Sequence, residues 1–120
     1  MNNGKNILRE KSYTFALKVV QMYKEIVEQK KEFVLSKQVL RSGTSIGAMV
    51  RESEYAQSKA DFLNKLSITL KEANETDYWL TLLLDSEYIT QGKYDEVAPL
   101  CTEIIKITTA SINTAKRSNQ

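Results

Sequence analysis

The chain of 120 residues contains no histidine, one cysteine, one proline and four glycines. Without histidine it cannot form a Ser/His/Asp triad, a Cys/His dyad or a histidine-containing zinc site. A single cysteine excludes a disulfide within the chain and a zinc site built from several thiolates. The scarcity of glycine and proline argues against a loop-rich or many-stranded all-β protein. The sequence is therefore typical of a helical protein without imidazole or dithiol chemistry.

Long apolar runs are also absent. The longest aliphatic runs, such as Leu82–Leu84, are far shorter than the ~20 residues that a membrane-spanning helix needs. The first five residues are polar and contain no apolar targeting segment. We therefore expect a soluble, cytoplasmic protein, and its length fits one domain with one core.

Apolar residues recur at helical spacing in four segments, which predicts an all-α, up-down-up-down antiparallel four-helix bundle over the single domain 1–120. The predicted helices span residues 6–29, 36–57, 59–85 and 93–117. Ser36 is a possible cap of the second helix, and Ser58 with Asp61 resembles a capping box at the start of the third. Pro99 is expected near the first turns of the fourth helix, where its missing N–H matters least, although a later helix start or a kink is an alternative.

Two features of the middle helices suggest close contacts. Gly43 and Gly47 each cost ~1 kcal/mol in a helix interior, so we expect them to permit the close approach of another backbone. A phosphate-binding loop is the weaker interpretation, because the glycine spacing is one residue short and Ala48 replaces the required lysine. Trp79 and Leu83 lie off the main apolar seam of the third helix and need another surface to cover them. The predicted contact between copies of the chain comprises Gly43, Gly47, Trp79 and Leu83.

A polar network is predicted where the second and third helices pack. Arg41 and Glu52 lie three turns apart along one line of the second helix, and Glu72 of an antiparallel neighbour is a candidate partner for Arg41. The predicted members are Arg41, Ser42, Ser45, Glu52, Asp61, Glu72 and Thr76. Such a network would fix helix register rather than add much stability. The alternative is an arginine that binds phosphate.

Candidate catalytic and metal-binding groups are weak. Carboxylates without histidine do not match the Glu-x-x-His ligands of a di-iron bundle. Cys101 lies on the inward row of the last helix and is expected to be a buried, inert thiol. We therefore expect no catalytic residue, no metal, no cofactor and no enzymatic activity.

Charge is distributed unevenly along the chain. Residues 1–60 carry 11 Lys/Arg against 6 Asp/Glu, a net of +5, whereas residues 61–120 carry 6 against 9, a net of −3. Two interpretations are a basic face that meets polyanions and a bipolar subunit that assembles head to tail. The predicted nucleic-acid contacts are Lys11, Lys18, Lys24, Lys30, Lys31, Arg51, Lys116 and Arg117.

Several stretches of the second and third helices resemble a known family. These stretches are Leu40–Ala48 followed by Glu52, Asp61–Phe62 with Lys65–Leu66, and Leu70–Thr76 leading to Tyr78–Leu80. In combination they resemble the bacterial four-helix bundle proteins first noted as open reading frames in the intervening sequences of large-subunit ribosomal RNA genes, which are related to retroelement accessory variability proteins. The resemblance implies a ring-like homopentamer without enzymatic activity, and nucleic-acid binding together with a reverse transcriptase in some relatives.

Two hypotheses about function remain. The leading one is a non-enzymatic, oligomeric scaffold that binds RNA, DNA or a ribonucleoprotein partner, with RNA favoured. The alternative is a purely structural protein–protein interaction module in which the charge asymmetry only orders the ring. Binding to RNA that weakens steeply as salt rises would distinguish the first hypothesis from the second.

Overall fold

The computed structural model describes residues 3–118, with side chains over residues 7–118. Its four α-helices are α1 (Asn3–Glu25), α2 (Leu35–Ser53), α3 (Lys59–Asp85) and α4 (Gln91–Arg117). A π-helical turn, Ile26–Lys30, continues the path of α1. The predicted all-α fold with four helices is confirmed.

Each helix packs against the next one along the chain, and α4 closes against α1. Arg41 of α2 pairs with Glu72 of α3, whereas Glu52, later in α2, pairs with Lys65, earlier in α3. The residue numbers of the partners therefore run in opposite directions, as they must in an antiparallel pair. The result is an elongated bundle measuring 52 × 22 × 20 Å.

The interior of the bundle is apolar and draws on all four helices. Its largest fully buried side chains include Phe15, Val19, Met22, Ile46, Val50, Leu66, Leu80, Leu83, Val97 and Ile104. Full burial of each large aliphatic or aromatic side chain contributes ~1.5–3 kcal/mol relative to exposure. Within residues 3–118, none of the helices combines the length and apolar character required to span a membrane.

The start of α2 is capped by Glu32. Its carboxylate accepts hydrogen bonds from the backbone N–H groups of Val34 at 3.0 Å, and of Leu35 and Ser36 at 2.8 Å each. The predicted Ser36 cap is wrong, because Ser36 lies inside the helix, is buried, and donates its hydroxyl to the carbonyl of Glu32 at 2.8 Å. Lys31, just before this cap, has a φ of 54°, which turns the chain from α1 into α2.

The predicted cap of α3 is present. The Ser58 hydroxyl accepts from the backbone N–H of Asp61 at 3.0 Å, and the Asp61 carboxylate accepts from that of Gln57 at 3.2 Å. The helix α2 ends at Ser53, before the predicted residue 57, because the following residues form tight turns. A short connection therefore holds α2 and α3 side by side.

The helix α4 begins two residues earlier than predicted. The hydroxyl of Thr90 accepts from the backbone N–H of Lys93 at 3.1 Å, and Gln91 is the first helical residue. Pro99 consequently lies in the third turn of the helix rather than in its first turns. The absent N–H of Pro99 leaves the carbonyl of Asp95 without its usual helical partner.

Candidate functional site

Arg41 is the centre of a polar cluster between α2 and α3. Its guanidinium contacts the Glu75 carboxylate and that of Glu72, with 3.4 Å between Nη1 and Oε1 of Glu72. The indole Nε1 of Trp79 donates to the same Glu75 oxygen at 3.1 Å. The Trp79 hydrogen bond, together with Arg41, holds the pKa of Glu75 below its ordinary value. Glu75 is therefore ionised at neutral pH, and two carboxylates face one guanidinium.

A buried pair of hydroxyls lies beside this cluster. The Oγ of Ser42 and the Oγ1 of Thr76 are 2.8 Å apart, and neither residue is exposed to solvent. The Thr76 hydroxyl also lies 2.7 Å from the carbonyl oxygen of Glu72. Buried hydroxyls need such partners, since an unpaired polar group in an apolar core is costly. The structure thus brings together four of the predicted network residues: Arg41, Ser42, Glu72 and Thr76.

The other three predicted network residues lie elsewhere. Ser45 donates its hydroxyl to the carbonyl of Arg41 within its own helix at 2.7 Å. Glu52 and Asp61 share Lys65 instead, at 3.4 Å and 3.9 Å from its Nζ. Eleven residues of helix separate Glu52 from Arg41, a rise of ~16 Å, which is too long for a common contact. The single predicted network is therefore two separate clusters.

The Arg41 cluster is accessible from solvent. The side chain of Arg41 is 51% exposed, so its ion pairs contribute at most ~1 kcal/mol. Because two carboxylates already occupy the guanidinium, the geometry favours a role in helix pairing over the alternative of phosphate binding. Next to the cluster, Tyr78 is 59% exposed and meets the partly buried Trp79 edge to face, with 5.0 Å between ring centroids. This side of α3 consequently presents an aromatic pair at the surface.

The contact predicted between copies is corrected by the packing within one chain. A Cβ on Gly43 would lie 2.9 Å from both γ-carbons of Val19 in α1, and a Cβ on Gly47 would lie 3.5 Å from the carbonyl oxygen of Ser12. Leu83 is fully buried in the core. The prediction is wrong for Gly43 and Leu83, since neighbours in the same chain already cover them. Gly47 likewise faces α1, so the close approach that the glycines permit is intramolecular.

Two of the predicted nucleic-acid contacts are paired within the bundle. The Nζ of Lys11 lies 3.1 Å from the carboxylate of Glu103, and that of Lys18 lies 3.6 Å from Glu96. Both carboxylates belong to α4. Lys11 and Lys18 therefore join α1 to α4, and their charge is partly neutralised before any outside polyanion arrives.

The remaining six predicted cations lie at the two ends of the bundle. We call Lys24, Lys30 and Lys31 the turn-end cations, and Arg51, Lys116 and Arg117 the far-end cations. All six residues are exposed, and none of them forms a salt bridge within residues 3–118. The 19-residue helix α2, ~28 Å long, runs from one end to the other. The single basic surface expected from the sequence is thus two separate groups of charge.

Tyr13 is a surface residue that the sequence interpretation did not single out. It is 55% exposed, and the guanidinium carbon of Arg51 lies 5.8 Å from the centroid of its ring. This geometry is that of a cation–π contact between α1 and α2. The available signal was a large aromatic residue outside the inward row of α1.

The cysteine is not an accessible nucleophile. Cys101 is fully buried and donates its Sγ–H toward the carbonyl of Ala73 at 3.3 Å. Burial, together with the negative charge of Asp77, raises the pKa of the thiol to about 12. In the part of the chain that the structure describes, no cluster of three or more cysteine, aspartate or glutamate side chains is suited to a metal ion.

Comparison with known proteins gives a consistent result. The sequence model of the 23S rRNA-intervening sequence protein family matches residues 4–110. The chain is similar to a crystal structure of a protein of unknown function from the S23 ribosomal protein family of Bacteroides thetaiotaomicron VPI-5482, with 55% identity and a TM-score of 0.90. The similarity covers 92% of this chain and 98% of the other. None of the curated proteins matches the chain.

Proposed function

This chain belongs to the 23S rRNA-intervening sequence protein family, and on that premise we propose that it is a non-enzymatic, oligomeric helical bundle that binds RNA or a ribonucleoprotein in the cytoplasm. The descriptions of the family and of the structural relative both refer to ribosomal components. We extend that association to this chain as RNA binding.

The observation that carries the proposal is the division of the cations into paired and unpaired groups. Lys11 and Lys18 are held by carboxylates of α4. The turn-end and far-end cations are exposed and have no carboxylate partner within residues 3–118. Binding of such cations to phosphates releases counterions, which is the main source of affinity for nucleic acids of any sequence.

The absence of enzymatic activity is supported by the chemistry of the described side chains. The thiol of Cys101 is protonated and buried, and the guanidinium of Arg41 is bound by two carboxylates. Without histidine, the chain also has no side chain whose ordinary pKa lies near neutrality.

The test compares two variants that lose equal charge. In Lys30→Gln/Lys31→Gln the cations removed are unpaired, whereas in Lys11→Gln/Lys18→Gln they are already paired with α4. We expect the first variant to bind single-stranded RNA more weakly and to lower the salt slope of binding by ~1.4, at ~0.7 for each phosphate contact. The matched control should retain most of the affinity and slope of the wild type. Equal weakening in the two variants would contradict the assignment of binding to the unpaired cations.

A second candidate function, a protein–protein interaction module, is favoured by the exposed aromatic pair on α3. We propose that Tyr78 and Trp79 contact another copy, in a homo-oligomer that has five copies if the family resemblance holds, and that a reverse transcriptase is a possible partner class for the assembly. Tyr78→Ser is expected to lower the mass measured by light scattering. The matched control is Tyr55→Ser, since Tyr55 is 78% exposed and lies outside this pair. A monomeric wild type would contradict the oligomer.

A further inference from the structure

A groove of about 270 Å³ lies open to solvent between α1 and α2. The small residues Gly47 and Ala48 form part of its lining, and Arg9, Tyr13 and Arg51 line it with larger side chains. It exists because α1 approaches α2 closely at Gly47, where no side chain fills the space between the helices. Its volume is just below the range of ~300–1,000 Å³ typical of small-molecule sites, so it suits a group the size of one nucleotide.

Planar and cationic groups converge at this groove. The guanidinium of Arg51 lies 5.8 Å from the ring centroid of Tyr13, and more than half of Tyr13 remains exposed. Both groups can stack on a nucleobase, because every base has a π-face and the guanidinium is planar.

The charge of the groove favours a phosphate. Arg51 forms no salt bridge within the described residues, while Arg9 makes a single contact with Glu54, at 3.9 Å. The side chain of Arg9 remains 48% exposed despite this contact. Two arginines against one carboxylate leave a net positive charge beside the exposed ring.

We infer that the groove binds one unpaired nucleotide of RNA, whose base stacks on Tyr13 and Arg51 while its phosphate faces the two arginines. The inference rests on the proposed RNA-binding function and assigns to it a contact with the base that the turn-end cations do not provide. Because bases are hidden inside a duplex, the groove selects single-stranded over double-stranded RNA.

The test measures the affinity of the full chain for a short fluorescent oligoadenylate at low salt. Tyr13→Leu keeps an apolar side chain but removes the ring, and we expect about tenfold weaker binding, which is within the range for loss of one base–aromatic stack. Tyr13→Phe should bind like the wild type. The matched control is Tyr55→Leu, since Tyr55 is an exposed tyrosine that does not line the groove. Arg51→Gln should lower the salt slope by ~0.7, whereas Tyr13→Leu should leave the slope unchanged.

The alternatives give different results. If the wild type binds but Tyr13→Leu matches Tyr55→Leu, the groove inference is overturned while the proposed function stands. If the wild type does not bind the oligonucleotide at low salt, the proposed function fails and this inference fails with it. A fall in particle mass in Tyr13→Leu, measured by light scattering, would show that a second copy covers the groove and would also overturn the inference.

Discussion

Glu32 illustrates how one ionised side chain organises the backbone around it. Partial burial alone would raise the pKa of its carboxyl group, but the backbone N–H groups of Leu35, Ser36 and Val34 outweigh this and lower the pKa overall. These three N–H groups belong to the start of α2 and would otherwise lack partners inside the helix. The charge of Glu32 also interacts favourably with the N-terminal end of the helix dipole.

Replacement of Glu32 by glutamine is expected to destabilise the fold by ~1 kcal/mol at neutral pH, as for loss of other N-terminal caps. Because the pKa of Glu32 is lowered in the folded state, its stabilising effect is fully present above the unfolded carboxyl pKa of ~4.3 and is lost as pH falls through the folded value. Urea unfolding of the wild type and Glu32→Gln should therefore show a stability difference that shrinks on acidification through this window.

Glu28→Gln is the control for this experiment, since Glu28 is exposed in the π-helical turn and caps no helix. It should change the free energy of unfolding little at any pH. A stability difference between the wild type and Glu32→Gln that is independent of pH would contradict a charged cap.

Some single-residue contacts follow from sequence spacing and others do not. Arg41 with Glu72, and Ser42 with Thr76, are predictable because antiparallel helices bring these positions to the same level. The cap by Glu32 was missed because an acidic residue in a charged run reads as solvated surface. Its role depends on the left-handed backbone of Lys31, which turns the side chain toward α2.

At the scale of helices, the α1–α2 contact depends on two glycines whose surroundings differ. A methyl group on Gly43 would lie 2.9 Å from two carbons of Val19, whereas one on Gly47 would make ordinary contacts of 3.5 Å or more. Valine has little rotamer freedom in a helix, so Val19 cannot easily move away.

Gly43→Ala and Gly47→Ala should consequently have opposite effects. Each alanine gains ~1 kcal/mol of helix propensity, but the alanine at position 43 also overpacks the contact, at a cost of typically ~1–3 kcal/mol. We expect thermal unfolding to show a destabilised or unchanged Gly43→Ala and a stabilised Gly47→Ala. A greater stability of Gly43→Ala than of Gly47→Ala would contradict the close contact with Val19.

The number, type and order of the helices were predictable because apolar periodicity is strong in all four. Helix ends were less predictable. The end of α2 depends on tight turns after Ser53, and the start of α4 depends on the hydroxyl of Thr90, so neither end is marked by a change in apolar pattern. The sequence also did not reveal the π-helical turn Ile26–Lys30, since its apolar residues fit an α-helix equally well.

For the whole molecule, the decisive property is how charge is distributed over the bundle. The sequence shows a basic first half, but it does not show that Lys11 and Lys18 face acidic residues of α4, because this pairing depends on the register between distant helices. The unpaired cations are left at the two ends of a bundle 52 Å long. An RNA that contacts both groups must therefore extend along the bundle or bridge two copies.

The salt dependence of binding between the wild-type chain and a single-stranded RNA tests this account most directly. The account predicts measurable binding at low salt and a linear fall of log K with log salt concentration. The slope should have a magnitude of ~2 if one group of three cations is used and ~4 if both groups are used. No binding at low salt, or affinity that does not change with salt, would contradict it.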